Sequence, residues 1–226
     1  MRNSFSEQWE EIYSNHEQLT SWPWSDLVSL IYCHCEDLIK QGGIVLELGC
    51  GSGPNIPFFK SLGMDYYGVE GSETVVDLVH KKYPELREKV ITGDFTKTDF
   101  VANVKNIDII IDRAAVTHNN LSAINSTLKN SYNMLKTGGY FIGVDWFSTK
   151  HSDYNLGKQG GDIYTRFDIE KGQFENVGNV HFSDIKHLCD IFSNFDIISL
   201  EEKVVNSFKS KTRQQFASWN IVVRKK

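Results

Sequence analysis

The stretch Ile44-Val45-Leu46-Glu47-Leu48-Gly49-Cys50-Gly51-Ser52-Gly53-Pro54-Asn55 decides the fold. Its first five residues are a β-rich run, and the alternating glycines after it let the backbone turn sharply and approach a ligand without side chains in the way. A helix is expected to begin near Pro54. Strand, glycine loop and helix in that order open a doubly wound α/β sheet. A dinucleotide loop of the form G-x-G-x-x-G would need glycine at position 54, where Pro54 stands.

Outward from this unit, apolar runs alternate with helical patterns, as in a mostly parallel sheet wound with helices. Tyr66–Glu70, Val90–Thr92, Ile107–Ile111 and Tyr140–Val144 read as further strands. Val75, Val76 and Val79 share one helical face that Pro84 stops, and Leu121, Ile124, Leu128 and Leu135 form a second stripe closed by Gly138-Gly139. Late in the chain, Ile185, Leu188 and Phe192 lie on a helix introduced by Ser183, and strands near Ile197–Leu200 and Trp219–Val223 suggest an antiparallel hairpin at one sheet edge. Before the first strand, Leu27, Val28, Ile31, Cys35, Leu38 and Ile39 mark a helix capped by Ser25 and ended by Gly42-Gly43. The expected organisation is one domain over 1–226. It divides into an N-terminal helical arm (1–43), a cofactor-binding core (44–146), a glycine-rich insertion (151–180) with β-like pieces around Tyr164–Phe167 and Phe174–Val177, and a C-terminal helix and hairpin (181–226). Trp9, Tyr13, Trp22 and Trp24 in the arm fit either packing onto the domain or a lid over a ligand.

Bulk composition narrows the function. The 226 residues carry 24 Lys and Arg against 29 Asp and Glu, for a net charge of −5. Proteins that grip phosphate backbones usually present a basic face. Here the basic clusters Lys209–Arg213 and Arg224–Lys226 are small enough to be merely solvated. No run approaches the roughly 20 apolar residues of a membrane span, and the N-terminus does not read as a secretory signal. Cys33, Cys35, Cys50 and Cys189 lack zinc spacing and read as reduced thiols of a cytoplasmic protein. A small-molecule partner is expected, with no nucleic acid, no membrane and no metal.

Acidic residues recur at the carboxyl ends of successive strands, where open α/β sheets bind ligands. Glu47 precedes the glycine loop, Glu70 ends the second strand, and Asp94 and Phe95 follow the third. A carboxylate at Glu47 would repel a pyrophosphate and suits the cationic amino group of a methionine moiety. Glu70 can accept two ribose hydroxyls, Asp94 an adenine amine, and Phe95 offers an amide or an apolar wall. Taken with Asp112 and Leu135-Lys136-Thr137-Gly138-Gly139-Tyr140, these residues resemble the ordered motif set of class I, Rossmann-like S-adenosylmethionine-dependent methyltransferases. The resemblance covers 44–146 and, more loosely, the final hairpin. It implies S-adenosylmethionine as cofactor and a seven-stranded sheet whose last strand runs antiparallel. It also places Gly49, Gly51 and Gly53 along the methionine and ribose, with Asn55 supporting the methionine end. The bacterial enzymes that decorate sugars and other small metabolites are the branch most similar to it.

Methyl transfer to a hydroxyl needs an oriented acceptor and a group that removes a proton. Those groups are expected after the fourth and fifth strands. His118, in Thr117-His118-Asn119, is the candidate base because its ordinary pKa lies near neutrality; it would equally suit the start of the next helix. Asp145 is the second candidate, as base or as anchor for a hydroxyl or amine. Arg113 could hold an anionic acceptor or a neighbouring acid. His181 and Trp22 are further substrate-side candidates, His181 reading also as a satisfied histidine before a helix. The missing Asn/Asp-Pro-Pro-aromatic run after the fourth strand argues against methylation of nucleic-acid bases. The expected reaction is O-methylation of a small polar acceptor such as a sugar. N-methylation of a small amine, a nucleic-acid or protein methyltransferase, and a non-catalytic cofactor-binding subunit are the alternatives.

Overall fold

The computed structural model describes residues 7–15, 19–97, 104–208 and 214–226; the basic cluster at 209–213 lies outside them. The arm forms α1 (Glu7–Ser14), α2 (Ser25–His34) and α3 (Glu36–Lys40). The core then runs β1 (Ile44–Leu48), α4 (Ile56–Ser61), β2 (Asp65–Glu70), α5 (Glu73–Lys82), β3 (Val90–Thr92), β4 (Ile107–Arg113), α6 (Leu121–Met134) and β5 (Leu135–Phe147). Three short strands, β6 (Lys158–Gln159), β7 (Thr165–Phe167) and β8 (Val180–His181), pair in the insertion. They are followed by α7 (Ile185–Ile191), β9 (Phe195–Asn206) and β10 (Gln215–Lys225).

The main sheet has seven strands in the order β3-β2-β1-β4-β5-β10-β9. β1 pairs in parallel with β2 on one side and β4 on the other, so the chain changes direction across the sheet at β1. The crevice outside the carboxyl ends of strands at such a point is where these sheets bind ligands. The last strand, β10, is antiparallel to both β5 and β9 and lies one place in from the edge, with β9 outermost. Alternation along the strands divides the core. Val45, Ile109 and Ile142 join Leu27, Ile31, Phe59 and Val79 on one face, whereas Leu46, Ile110 and Phe141 join Ile124, Leu128 and Leu188 on the other.

Local readings needed correction where tertiary pairing competes with propensity. The arm helix breaks at Cys35, and Ser25 does not cap it: Trp24 holds the N-cap position without a side-chain bond. Ser183 does not cap α7. Its amide and carbonyl bond Phe147 and Thr149, and Asp184 accepts from the His187 amide instead. Leu135 begins β5 rather than ending α6, because it registers with Ile107 of β4. Phe174–Val177 is not a strand; Phe174 packs into a third core cluster with Phe147, Phe182 and Val180.

Candidate functional site

A cleft enclosing about 1060 Å³, open solvent at its mouth included, lies outside the carboxyl ends of β1, β2 and β4. Its cofactor-like end is built from the glycine loop. Gly49 has φ +65°, and a Cβ there would stand 2.2 Å from the Ala115 Cβ, so only glycine fits between the loop and the β4 end. Glu70 organises the loop from the next strand. One carboxylate oxygen accepts the Gly51 amide at 2.8 Å, and the other accepts those of Gly71 at 2.8 Å and Ser72 at 3.2 Å. Burial raises the Glu70 carboxyl while these three amides pull it back. A carboxylate offers about four lone-pair directions, so this bonding still leaves room for a hydroxyl.

Glu47 lies deeper in the same wall and is buried. The Asn55 amide donates to it at 2.7 Å and the Tyr66 hydroxyl at 2.5 Å. Burial pushes its carboxyl up to about 7 despite those two donors. A cationic amino group beside it would favour the ionised form. Asp94 and Phe95 complete this end, with Asp94 accepting from the Thr96 amide at 3.0 Å and pairing with Lys97 at 3.5 Å. Gly49, Gly51, Glu47, Glu70, Asp94 and Phe95 therefore share one wall. Two residues proposed for it from the sequence stand behind it: Gly53 faces Ile56, and Asn55 is buried behind Glu47 and Trp24, bonding both. Asp112 is likewise internal. It accepts from the Trp146 indole at 2.6 Å and from the Ala115 and Val116 amides at 3.0 Å, shaping the turn after β4, and burial raises its carboxyl to about 7.

The same cleft is also lined by Arg113, Ala114 and His118 with the arm residues Trp9 and Trp24. His118 Nδ1 lies 3.3 Å from the Asn179 carbonyl, and the ring sits edge-on to Trp9, Phe147 and Phe174. A carbonyl only accepts, so Nδ1 carries the proton and Nε2 keeps its lone pair. Burial lowers this imidazole to about 4, with the Arg113 charge acting in the same direction. Arg113 stacks over Trp24, 3.6 Å from the ring centroid, and donates to Asp145 at 3.2 Å. Asp145 itself is buried and absent from the cleft wall, its other oxygen taken by Ser218 at 3.0 Å and Lys203 at 3.3 Å.

Two substrate-side expectations are corrected. Trp22 is 78% exposed and away from the cleft, its place taken by Trp24. His181 is fully buried between Thr165 Oγ1 at 2.9 Å and His187 Nε2 at 2.8 Å, and burial lowers it to about 3. It is a satisfied core histidine beneath the insertion. Sequence reasoning missed Tyr66, Thr20 and Glu10. The Thr20 carbonyl accepts from Ser52 Oγ at 2.7 Å and its amide donates back at 3.1 Å, while Glu10 accepts from the Thr74 hydroxyl at the start of α5. The arm is thus tied to the glycine loop and to the next helix, and Tyr13 and Trp9 enter the wall. Contacts between segments this far apart leave no periodic signal. Only the clustering of aromatics in residues 1–24 hinted at them.

Residues 46–143 match the methyltransferase domain family. An uncharacterized methyltransferase of Bacillus cereus is 25% identical over 205 residues, covering 82% of this chain and 93% of that protein. Among solved structures, a S-adenosylmethionine-dependent methyltransferase from Methanosarcina mazei superposes with a TM-score of 0.67 at 16% identity, over 90% of this chain and 98% of the other. The 1,6-didemethyltoxoflavin-N1-methyltransferase of Burkholderia thailandensis, solved with 1,6-didemethyltoxoflavin and S-adenosylhomocysteine, gives 0.60 at 13% identity, over 96% and 85%. Among the described residues, no helix is long and apolar enough to cross a membrane.

Proposed function

We propose that this chain is a class I S-adenosylmethionine-dependent methyltransferase and that it methylates a hydroxyl of a small polar acceptor, a sugar or related metabolite, with His118 as general base. The cofactor supplies a methyl group on a sulfonium sulfur, already activated for in-line displacement. Glu47, Gly49, Gly51, Glu70, Asp94 and Phe95 would hold it. In this reading Glu47 faces the amino-acid end and Glu70 the ribose, both carboxylates lining the cleft. The chain's own contribution is to orient the acceptor, exclude water with Trp9 and Trp24, and take the hydroxyl proton at His118 Nε2.

The single observation carrying the base assignment is the bond from His118 Nδ1 to the Asn179 carbonyl in the cleft wall. It selects the neutral tautomer whose free lone pair is Nε2. Asp145 is the weaker candidate, because Arg113, Lys203 and Ser218 already occupy its oxygens. The test measures S-adenosylhomocysteine release with a panel of small alcohols, sugars and amines. His118→Ala should lower turnover on the accepted alcohol by about a hundredfold or more, with S-adenosylhomocysteine affinity unchanged. Because burial lowers the imidazole to about 4, the base stays unprotonated as pH falls and is lost only near that value. Turnover governed by this group should be flat from pH 8 to 5.5, with no half-loss near 6.5. Full activity in His118→Ala on the alcohol would overturn the base assignment in favour of Asp145, and acceptance of amines alone would overturn the proposal in favour of N-methylation.

A further inference from the structure

We propose that Arg113 anchors an anionic oxygen group of the acceptor, a carboxylate or a phosphate, so that the molecule methylated here is a small acid. The inference rests on the methyltransferase reading above and narrows its acceptor class. Arg113 ends β4 inside the cleft wall, and its side chain is 33% accessible. A guanidinium presents five N–H donors in a planar fork that matches carboxylate and phosphate oxygens. Among the described residues this one makes a single side-chain bond, from Nη2 to Asp145 at 3.2 Å. Its Nε is buried and has no partner. Buried donors are nearly always satisfied, so this unmet donor leaves a guanidinium of the cleft wall short of an acceptor.

The surroundings explain why Asp145 does not satisfy the arginine. That carboxylate is shared with Lys203 and Ser218, and Lys203 pairs in turn with Asp26. The charges alternate from Asp26 through Lys203 and Asp145 to Arg113, which ends the row at the cleft. The ring of Trp24 covers the guanidinium at 3.6 Å and would shield a bound anion from water. Backbone strain marks the same spot. Ala114 has φ +58° and Asp145 φ +55°, left-handed values that an alanine adopts at a cost. The same cleft is also lined by the acids Glu47, Glu70 and Asp94. An acid is repelled by them and drawn to Arg113, which would set the acceptor's direction relative to His118 in the same wall.

The experiment uses the full chain saturated with S-adenosylhomocysteine and follows tryptophan fluorescence and calorimetry with benzoate, phenyl phosphate and benzyl alcohol as probes. At least one anion should bind about tenfold or more tightly than the alcohol, and the better of the two separates a carboxylate acceptor from a phosphate one. Arg113→Gln should weaken that anion about tenfold or more while S-adenosylhomocysteine affinity holds within about twofold. Arg113→Lys, which keeps the charge but not the fork, should fall between. Asp145→Asn should strengthen anion binding, the reverse of what a purely structural ion pair would do. Anions binding no better than benzyl alcohol, or unaffected by Arg113→Gln and Arg113→Lys, would overturn the proposal. Failure to bind S-adenosylhomocysteine at all would instead overturn the cofactor site on which it rests.

Discussion

Two parts of the cleft are built in opposite ways. At the glycine loop, Glu47, Gly49 and Gly51 lie within five residues, and Glu70 on the adjacent strand reaches back to the loop's amides. One strand-turn-helix unit supplies the geometry. Around Arg113, the region proposed for the acceptor, His118 is steered by Asn179 from the insertion and boxed by Trp9 from the arm, while Arg113 leans on Trp24 and an aspartate held by Lys203 and Ser218 of the final hairpin. The contrast teaches that one part of a cleft can be built by local backbone, whereas another is assembled from whatever segments the fold brings to the same edge.

Substitutions can break this comparison, and the largest effect is expected at Gly49. Gly49→Ala forces a left-handed alanine, at about 1–3 kcal/mol, and drives its methyl into Ala115, adding about 1–3 kcal/mol of overpacking. Thermal unfolding should show the loss, and calorimetry should show S-adenosylhomocysteine binding weakened or absent. Adding Ala115→Gly should recover the steric part only. Wild-type stability and binding in Gly49→Ala would mean that the loop is not the tight cradle its backbone describes.

Glu70→Ala should have the next largest effect. It leaves the Gly51, Gly71 and Ser72 amides without their acceptor and removes the carboxylate proposed for the ribose. S-adenosylhomocysteine should bind about 1–3 kcal/mol more weakly, while the response to benzoate or phenyl phosphate persists. Equal damage to both ligands would erase the division between the two parts.

Trp22→Ala should change least. An exposed side chain away from the cleft is worth within about 0.5 kcal/mol of stability, and neither cofactor nor anion binding should move. Trp24→Ala, by contrast, uncovers Arg113 and should weaken anion binding. If Trp22 proved the more sensitive of the pair, the region proposed for the acceptor would extend over the outer surface of the arm.

The legibility of the site follows the same division. Glu47, Glu70 and Asp94 could be found because strand-end acids beside a glycine loop are close in sequence and tied to an element order. Asp112 occupies the matching position on β4, yet it turns inward to Trp146, since the side of a strand end on which a carboxylate points depends on what packs there. Residues 22 and 24 show the limit plainly. Both are tryptophans in one aromatic arm, and only the packing of the arm against Arg113 distinguishes them. His118 and His181 make a similar pair. Each precedes a helix, and burial between Thr165 and His187 removes one from the cleft while the other lines it.

By itself the sequence determined the doubly wound sheet, the late hairpin and the glycine loop, because strand alternation, helical stripes and glycine turns are properties of short segments. It also carried the charge logic that separates an amino-acid moiety from a pyrophosphate at Glu47. Only the tertiary structure decided that β9 lies outside β10, that the arm is clasped to Ser52, and that Arg113 meets the cleft with an unmet donor. Those features depend on contacts between residues as far apart as Asp26 and Lys203. Such contacts form only once the core has closed, and they leave no period or motif in the chain.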